Sequence, residues 1–250
     1  MESLSLEGKV ALVTGAAKGI GKVIVEKLVT QGSTVYVNSK SSRNIDEWCR
    51  EFSEKSKGSA LPLYFDVTDE KGCKSAILSI RKEQGGLDIL INNAGIVSYE
   101  MLGMVKLSDF RQMLEVNVVG PLNLIQLASR VMGRRATPSI INISSAVAVQ
   151  GVEGQVAYSS SKGALISMTR SAAKELAPKG IRVNAIAPGM VATDRLQDAS
   201  QKGFSEKVND IRMGEMVHPE EVADLCVYLS SNISKSVTGQ VISIDGALKL

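Results

Sequence analysis

Lys9-Val10-Ala11-Leu12-Val13 runs straight into Thr14-Gly15-Ala16-Ala17-Lys18-Gly19-Ile20-Gly21, and a helical pattern, Ile20–Thr30, follows. A short continuous apolar run suits a strand covered on both faces, as in a parallel sheet. The glycines behind it permit a tight turn and close approach of backbone to a ligand. The helix start then aims unpaired N–H groups, and the positive end of its dipole, at a phosphate. The spacing is G-x-x-x-G-x-G, not G-x-G-x-x-G, and no G-K-[ST] closes it. A glycine-rich turn can also bind nothing; its place directly after the first strand favours a nucleotide.

The rest of the chain repeats this rhythm. Further strands are expected at Thr34–Val37, Leu61–Phe65, Asp88–Ile91, Ser139–Ile143, Arg182–Ile186 and Gln240–Ile244, with helices at Asp69–Glu83, Ser108–Arg134, Val156–Ala177 and Pro219–Leu229. Alternation of this kind implies a single α/β domain over residues 1–250, with a doubly wound parallel sheet of about seven strands and helices on both faces. Ligands of such sheets bind at the carboxyl ends of the strands, near the reversal of strand order.

Composition narrows the function. The chain has 250 residues, 29 Lys plus Arg against 26 Asp plus Glu, and a net charge of +3. So small an excess, without a dense basic run, argues against nucleic acid. Cys49, Cys73 and Cys226 are dispersed, and His218 is the only histidine, so neither a disulfide framework nor a metal site is expected. No apolar run reaches the roughly 18 residues of a membrane helix. The acidic stretch Met1–Glu7 lacks a signal-peptide apolar core, so a cytoplasmic location is expected.

The second strand informs the choice of nucleotide. A carboxylate at its end would hold the ribose 2′-OH of NAD. Here the chain reads Val37-Asn38-Ser39-Lys40, with Arg43 after it and no acid before Asp46. Lys18, Lys40 and Arg43 suit a 2′-phosphate, although such residues can also be plain solvated charges. NADP(H) is therefore expected in preference to NAD(H).

Tyr158 and Lys162 lie four residues apart on one helix, and so on one face. A free phenol, with a pKa near 10, carries protons poorly at neutral pH. A neighbouring ammonium favours the phenolate and makes proton exchange possible near working pH. Ser144 and Ser145 end the strand upstream, where a hydroxyl can hydrogen-bond a carbonyl oxygen and share its developing charge. Y-x-x-x-K alone is usually a surface pair; the whole set at strand ends of one sheet is not.

Together, Thr14–Gly21, Asn92-Asn93-Ala94-Gly95, Asn117, Ser145, Tyr158 to Lys162 and Pro188 to Thr193 resemble the motif set of the short-chain dehydrogenases/reductases. The resemblance runs in order from about Leu6 to Ala247. The stretches Ile143 to Lys162 and Val237 to Gly246 are most similar to the 3-oxoacyl-[acyl-carrier-protein] reductase branch. It implies a Rossmann-type domain and a reductase of a ketone, most of all a 3-oxoacyl thioester, in fatty acid biosynthesis. A dehydrogenase of a sugar, polyol or other secondary alcohol is the alternative enzyme. A non-catalytic dinucleotide sensor is the alternative of another class, which the intact Ser145, Tyr158 and Lys162 disfavour.

The roles implied are these. Tyr158 is the general acid in reduction. Lys162 tunes Tyr158 and holds the nicotinamide ribose. Ser145, rather than Ser144, orients the substrate oxygen. Asn117 sits at a helix break, which Pro121 would favour, and holds a water that relays protons. Cofactor contacts are implied for Gly15, Lys18, Gly19, Ile20 and Gly21; for Ser39 and Lys40; for Asp66 and Val67; for Asn93, Ala94 and Gly95; and for Pro188, Gly189, Val191 and Thr193, besides Tyr158 and Lys162. Asp66 could instead be a helix cap, a role Asp69 can also fill. The tail Asp245-Gly246-Ala247 departs from a pattern with two glycines.

Residues 190–216 are the expected substrate lid. Val147, Val149, Val152, Met190 and Val191 offer an apolar wall beside Ser145, or else pack the core. Arg134, Arg135 and Lys179 are candidates for docking an acidic acyl carrier protein. Apolar residues on more than one face of Ser108–Arg134 and Val156–Ala177, with the family likeness, suggest a homotetramer.

Overall fold

A computed structural model describes residues 4–41, 45–133, 135–193 and 210–249. Arg43, Arg134 and the interior of the expected lid lie outside the described residues. Seven strands form: β1 (Val10–Val13), β2 (Thr34–Ser39), β3 (Ser59–Tyr64), β4 (Ile89–Asn92), β5 (Ser139–Ile143), β6 (Arg182–Pro188) and β7 (Val241–Ile244). Their ends differ from the expected ones by only one or two residues. All pairings are parallel, in the order β3-β2-β1-β4-β5-β6-β7. The order reverses between β1 and β4, which fixes the ligand crevice at the carboxyl ends of those two strands.

Side chains alternate across the sheet with period two. On one face, Ala11, Val13, Val35, Val37, Ile89, Ile91 and Ile141 meet α1 (Gly19–Thr30), α2 (Ile45–Glu54) and a helix at Pro219–Ser230. On the other, Leu12, Tyr36, Leu90, Ile140 and Val183 meet α3 (Glu70–Gln84) and the helices that follow β4 and β5. Burial on both faces explains why the strands read as unbroken apolar runs. The helix α2 was not among the expected helices, although Ile45, Trp48, Cys49 and Phe52 recur at helical spacing along it; Ile45 and Cys49 are buried, and Trp48 and Phe52 pack against the same core.

The single helix expected at Ser108–Arg134 is three pieces: α4 (Leu107–Leu114), a π-helical turn (Glu115–Val119) and α5 (Gly120–Met132). The Gly120 N–H reaches back five residues to the Glu115 carbonyl. A Cβ on Gly120 would stand 2.9 Å from the Val67 carbonyl oxygen, so this close approach needs glycine. Pro121 does not make the break. It occupies the first turn of α5, where no N–H is required. After β5 come a four-residue helix α6 (Val147–Gln150) and then α7 (Val156–Leu176); the Pro219–Ser230 helix is α8.

In the tail, Gly246 has φ 60° and Ala247 has φ 57°. Two glycines would suit this left-handed pair, and Ala247 accepts about 1 kcal/mol of backbone strain there. Gly246 cannot be exchanged so cheaply, because its Cβ would lie 2.7 Å from Ile211 Cγ2.

Candidate active site

The helix α1 begins without a side-chain cap and without an acid in its first turn. Its first N–H groups therefore await another acceptor. Gly19 has φ +57° and open space where a Cβ would be. Gly15, with φ +61°, and Gly21 are also required by packing: added Cβ atoms would lie 2.8 Å from Ala94 Cα and 2.6 Å from the Gly15 carbonyl oxygen, respectively. The turn is held from two sides. Thr14 Oγ1 accepts from the Asn93 and Ala94 N–H groups at 3.0 Å, and Asn93 Nδ2 donates to the carbonyls of Thr14 (2.9 Å) and Gly15 (3.0 Å). Asn38 Oδ1 accepts from the Gly15 N–H at 3.1 Å, while its Nδ2 donates to the Phe65 carbonyl at 3.0 Å. Thr14, which opens the glycine motif, and Asn38, a polar residue near a strand end, were not among the residues expected to contact the cofactor. Replacing Gly21 by alanine pushes backbone apart, so Gly21→Ala is expected to cost about 1–3 kcal/mol in urea denaturation. An unchanged midpoint would show that the turn is looser than these distances.

The crevice beyond this turn has a volume of about 1380 Å³. Gly15, Lys18, Gly19, Ile20, Gly21, Ser39, Lys40, Asp66, Val67, Asn93, Ala94 and Gly95 all line it. Asp69 caps α3 by accepting from the Lys71 N–H, so the cap role is taken and Asp66 turns to the crevice. Its carboxylate pairs with Lys40 Nζ at 2.7 Å. Burial pushes the Asp66 carboxyl up, but the Lys40 ammonium and the Thr68 N–H hold it below the usual carboxylate range. Ser39 spends its hydroxyl locally, donating to the Ser41 carbonyl at 2.7 Å.

A second cavity of about 300 Å³ adjoins the crevice and shares Ile20, Asn93, Gly95, Ile96 and Thr193 with it. Ser145, Tyr158, Lys162, Pro188, Gly189 and Val191 line it. So do Val147, Val152 and Met190 of the expected apolar wall. Val149 does not: it is 54% exposed on the outer side of α6. Ser144 and Ser145 are distinguished by their surroundings. Both line the cavity, but Ser144 is buried and its hydroxyl donates to the Lys162 carbonyl at 3.0 Å. Lys162 Nζ lies 5.9 Å from the Tyr158 ring centroid and donates to the Ile143 carbonyl at 2.7 Å. Burial pulls the Lys162 ammonium down to about 8.

Of the described residues expected in catalysis or cofactor contact, Asn117 alone lines neither cavity. It is buried in the π-helical turn, and its side chain is fully engaged. Oδ1 accepts from the Ile96 N–H (2.9 Å), and Nδ2 donates to the Ile96 carbonyl (2.9 Å) and to Ser161 Oγ (3.0 Å). Ser161 in turn donates to the Tyr158 carbonyl at 2.8 Å. The side chain thus ties the loop after β4 to α7. Gly95 permits this convergence, since a Cβ there would lie 3.2 Å from Asn117 Oδ1 and 3.3 Å from Lys162 Nζ. Asn92, which opens the Asn-Asn-Ala-Gly run, faces the sheet interior, and its Nδ2 donates to Asn142 Oδ1 at 2.8 Å.

The lid expected at residues 190–216 is described only at its ends. Val191 and Val217 form a parallel bridge there, and the Val217 N–H donates to the Met190 carbonyl at 3.0 Å. Arg135 and Lys179 precede the amino ends of β5 and β6, whereas Ser145 follows the carboxyl end of β5. They therefore lie across the sheet from this chain's own cavity. Arg135 is engaged besides, with Asp88 at 3.5 Å and the Gln84 carbonyl at 2.8 Å.

An uncapped helix start, glycines that leave no room for a Cβ, and a crevice crossing the strand-order reversal fit an extended dinucleotide. The same conclusion comes from comparison with known proteins. A family model described as enoyl-(acyl carrier protein) reductase matches residues 15–248. A 3-oxoacyl-[acyl-carrier-protein] reductase of Thermotoga maritima is 39% identical over 245 residues, 98% of this chain and 99% of its own. Reductases of the same name from Aquifex aeolicus and Staphylococcus aureus are 37% and 35% identical, over 98% and 96% of this chain and 99% and 98% of theirs. The crevice, the adjoining cavity and this full-length similarity make the chain a member of the short-chain dehydrogenase/reductase family, an oxidoreductase that acts on a keto or CH–OH group with a nicotinamide dinucleotide.

Proposed function

We propose that the chain is an NADP(H)-dependent reductase of 3-oxoacyl thioesters. The observation that carries this reading is the meeting of Ser145, Tyr158 and Lys162 in one small cavity that opens onto the dinucleotide crevice. When bound, the dinucleotide supplies a hydride to the carbonyl carbon. Ser145 donates a hydrogen bond to the carbonyl oxygen and orients it. Tyr158 gives its phenolic proton to that oxygen as charge develops, and the Lys162 ammonium stabilises the phenolate left behind. Ser144 and the Ile143 carbonyl fix Lys162 from behind, and Asn117 and Ser161 fix the backbone of α7 at Tyr158. The apolar wall of Val147, Val152, Met190 and Val191 favours a carbon-chain ketone over a polyol. Following absorbance of the reduced nicotinamide with an acetoacetyl thioester, against oxidation of a polyol panel, tests the assignment. Turnover of polyols alone would overturn it.

Preference for NADP(H) rests on Lys18 and Lys40 at the adenosine end of the crevice. Lys40 also neutralises Asp66, which would otherwise repel a 2′-phosphate. A charge-assisted contact of this kind makes Lys40→Ala lose about ten-fold or more in kcat/KM with NADPH, while kcat/KM with NADH holds or rises. Equal loss with both cofactors would place the 2′-phosphate elsewhere.

The family likeness also supports an assembly and a partner. Leu107, Val119 and Leu122, on α4, the π-helical turn and α5, are each more than 40% exposed, which suits burial in a homotetramer; light scattering decides. The three cysteines are free and buried, which agrees with a cytoplasmic, reducing location. Among the described residues no helix is long and apolar enough to cross a membrane. Acyl carrier protein is the proposed carrier of the substrate.

A further inference from the structure

We propose that the acyl tail of the substrate leaves the cavity over an apolar ridge at Tyr99–Met104, an inference that rests on the reductase reading above. Tyr99, Met101, Leu102 and Met104 are each more than half exposed, and among the described residues no other stretch as short exposes so many large apolar side chains. A single exposed leucine needs no explanation, but a contiguous apolar patch marks a binding surface. Leu102–Met104 form a 3₁₀ turn in which no residue is buried. The turn closes on its own backbone, with the Met104 N–H donating to the Met101 carbonyl at 2.7 Å. Its side chains therefore add nothing to the core, and polar ones would serve the fold as well. A local rule broken without local gain marks a functional position.

The ridge begins at the lip of the cavity. Tyr99 lines the cavity together with Ser145 and Tyr158. The Glu100 N–H donates to the Gly154 carbonyl at 2.8 Å, and a Cβ on Gly154 would lie 3.8 Å from Met101 Sδ. Gly154 stands between Val152 and Gln155, which both line the cavity. The cavity itself is small: about 300 Å³, at the bottom of the roughly 300–1,000 Å³ range of ligand pockets. Hydride transfer also brings the nicotinamide against the ketone there. Room remains for the reacting carbons and little more, so a long acyl tail continues outside. The thioester limb of the substrate leads to its carrier, whereas the acyl limb is bare hydrocarbon. It asks for a surface without hydrogen-bonding groups, which thioether and leucine side chains provide. Methionine is also flexible enough to follow tails of different length. Taking one methylene out of water is worth about four-fold in affinity, so even one-sided cover along the ridge favours a long tail over a short one.

The test measures kcat/KM for the acetoacetyl and 3-oxododecanoyl thioesters of coenzyme A, below the micellar range and under saturating NADPH. Wild type is expected to favour the longer substrate at least ten-fold. In a triple variant, Met101→Gln with Leu102→Gln and Met104→Gln, that preference is expected to fall at least five-fold, mainly through a higher KM for the longer substrate. Glutamine keeps the length of methionine, and a thermal melt establishes that the variant is folded. Met104→Gln alone is expected to show a smaller fall in the same direction, which keeps the test decisive if the triple variant folds poorly. Light scattering compares the oligomeric state of wild type and variants. A wild type that turns over both thioesters equally, or a preference that survives the substitutions, overturns the ridge as a tail site and leaves the reductase reading intact. A preference lost only together with the oligomeric state assigns the ridge to a second copy of the chain and overturns the inference as well. Wild-type protein inert on both thioesters overturns the reductase reading and this inference with it.

Discussion

Tyr158→Phe is expected to lose at least about a thousand-fold in turnover, the middle of the range for removing a general acid, while its affinity for NADPH falls by no more than a few-fold. The phenol lines the substrate cavity, and the dinucleotide crevice is built mainly from the α1 turn and the ends of β2, β3 and β4. Removing one hydroxyl leaves the ring, the helix and the Asn117–Ser161 tie to its backbone intact. The hydride can still be delivered, but the oxygen that gains charge no longer receives a proton from a positioned group. Single-turnover mixing separates the two steps: cofactor fluorescence reports binding, and absorbance of the reduced nicotinamide reports transfer. A variant that binds NADPH normally and still reduces substrate within ten-fold of wild type would place the proton donor elsewhere and would undo the catalytic assignment.

What could be read from the sequence was what local rules decide. The turn Thr14–Gly21 was legible because strand, glycine spacing and helix start are contiguous, and each has a physical signature. The catalytic pair was legible because a helix puts Tyr158 and Lys162 on one face wherever it lies. What escaped depends on contacts between distant segments. The π-helical turn around Asn117 follows from the approach of Gly120 to the Val67 carbonyl, fifty-odd residues away, and no periodicity announces it. The pairing of Lys40 with Asp66 needs the register of β2 on β3, which turns two separate loop residues into neighbours. Val149 was misassigned to the cavity wall because a four-residue helix carries too few positions to tell inside from outside. That Arg135 lies far from this chain's own cavity follows from topology, since in a parallel sheet the residues before a strand and those after it lie at opposite edges. Family spacing points to Ser145 rather than Ser144, and the Ser144 hydroxyl is committed to the Lys162 carbonyl.

Lys162→Met is expected to abolish turnover and, at pH 7, to gain stability relative to wild type that disappears as the pH rises. Burial lowers the Lys162 ammonium from 10.5 to about 8 in the folded chain. Below pH 8 both folded and unfolded forms carry the proton, and the folded form bears the full cost of a buried charge. Between 8 and 10.5 the unfolded chain holds more protons than the folded one, so stability rises with pH. Above 10.5 both are neutral and the cost is gone. A shift of this size corresponds to about 3 kcal/mol at most. Methionine removes the charge at every pH. It also strips the Ile143 carbonyl of its donor, but that loss does not depend on pH and cancels when the difference is followed across the range. Urea unfolding of wild type and variant at pH 7, 8, 9 and 10 should show the variant's relative stability falling steadily above pH 8. A difference independent of pH would mean that the ammonium is well solvated and that its position next to Tyr158 carries no electrostatic cost. A falling difference would show that the chain sacrifices stability to hold a charge beside its proton donor, which is what a preorganised site requires.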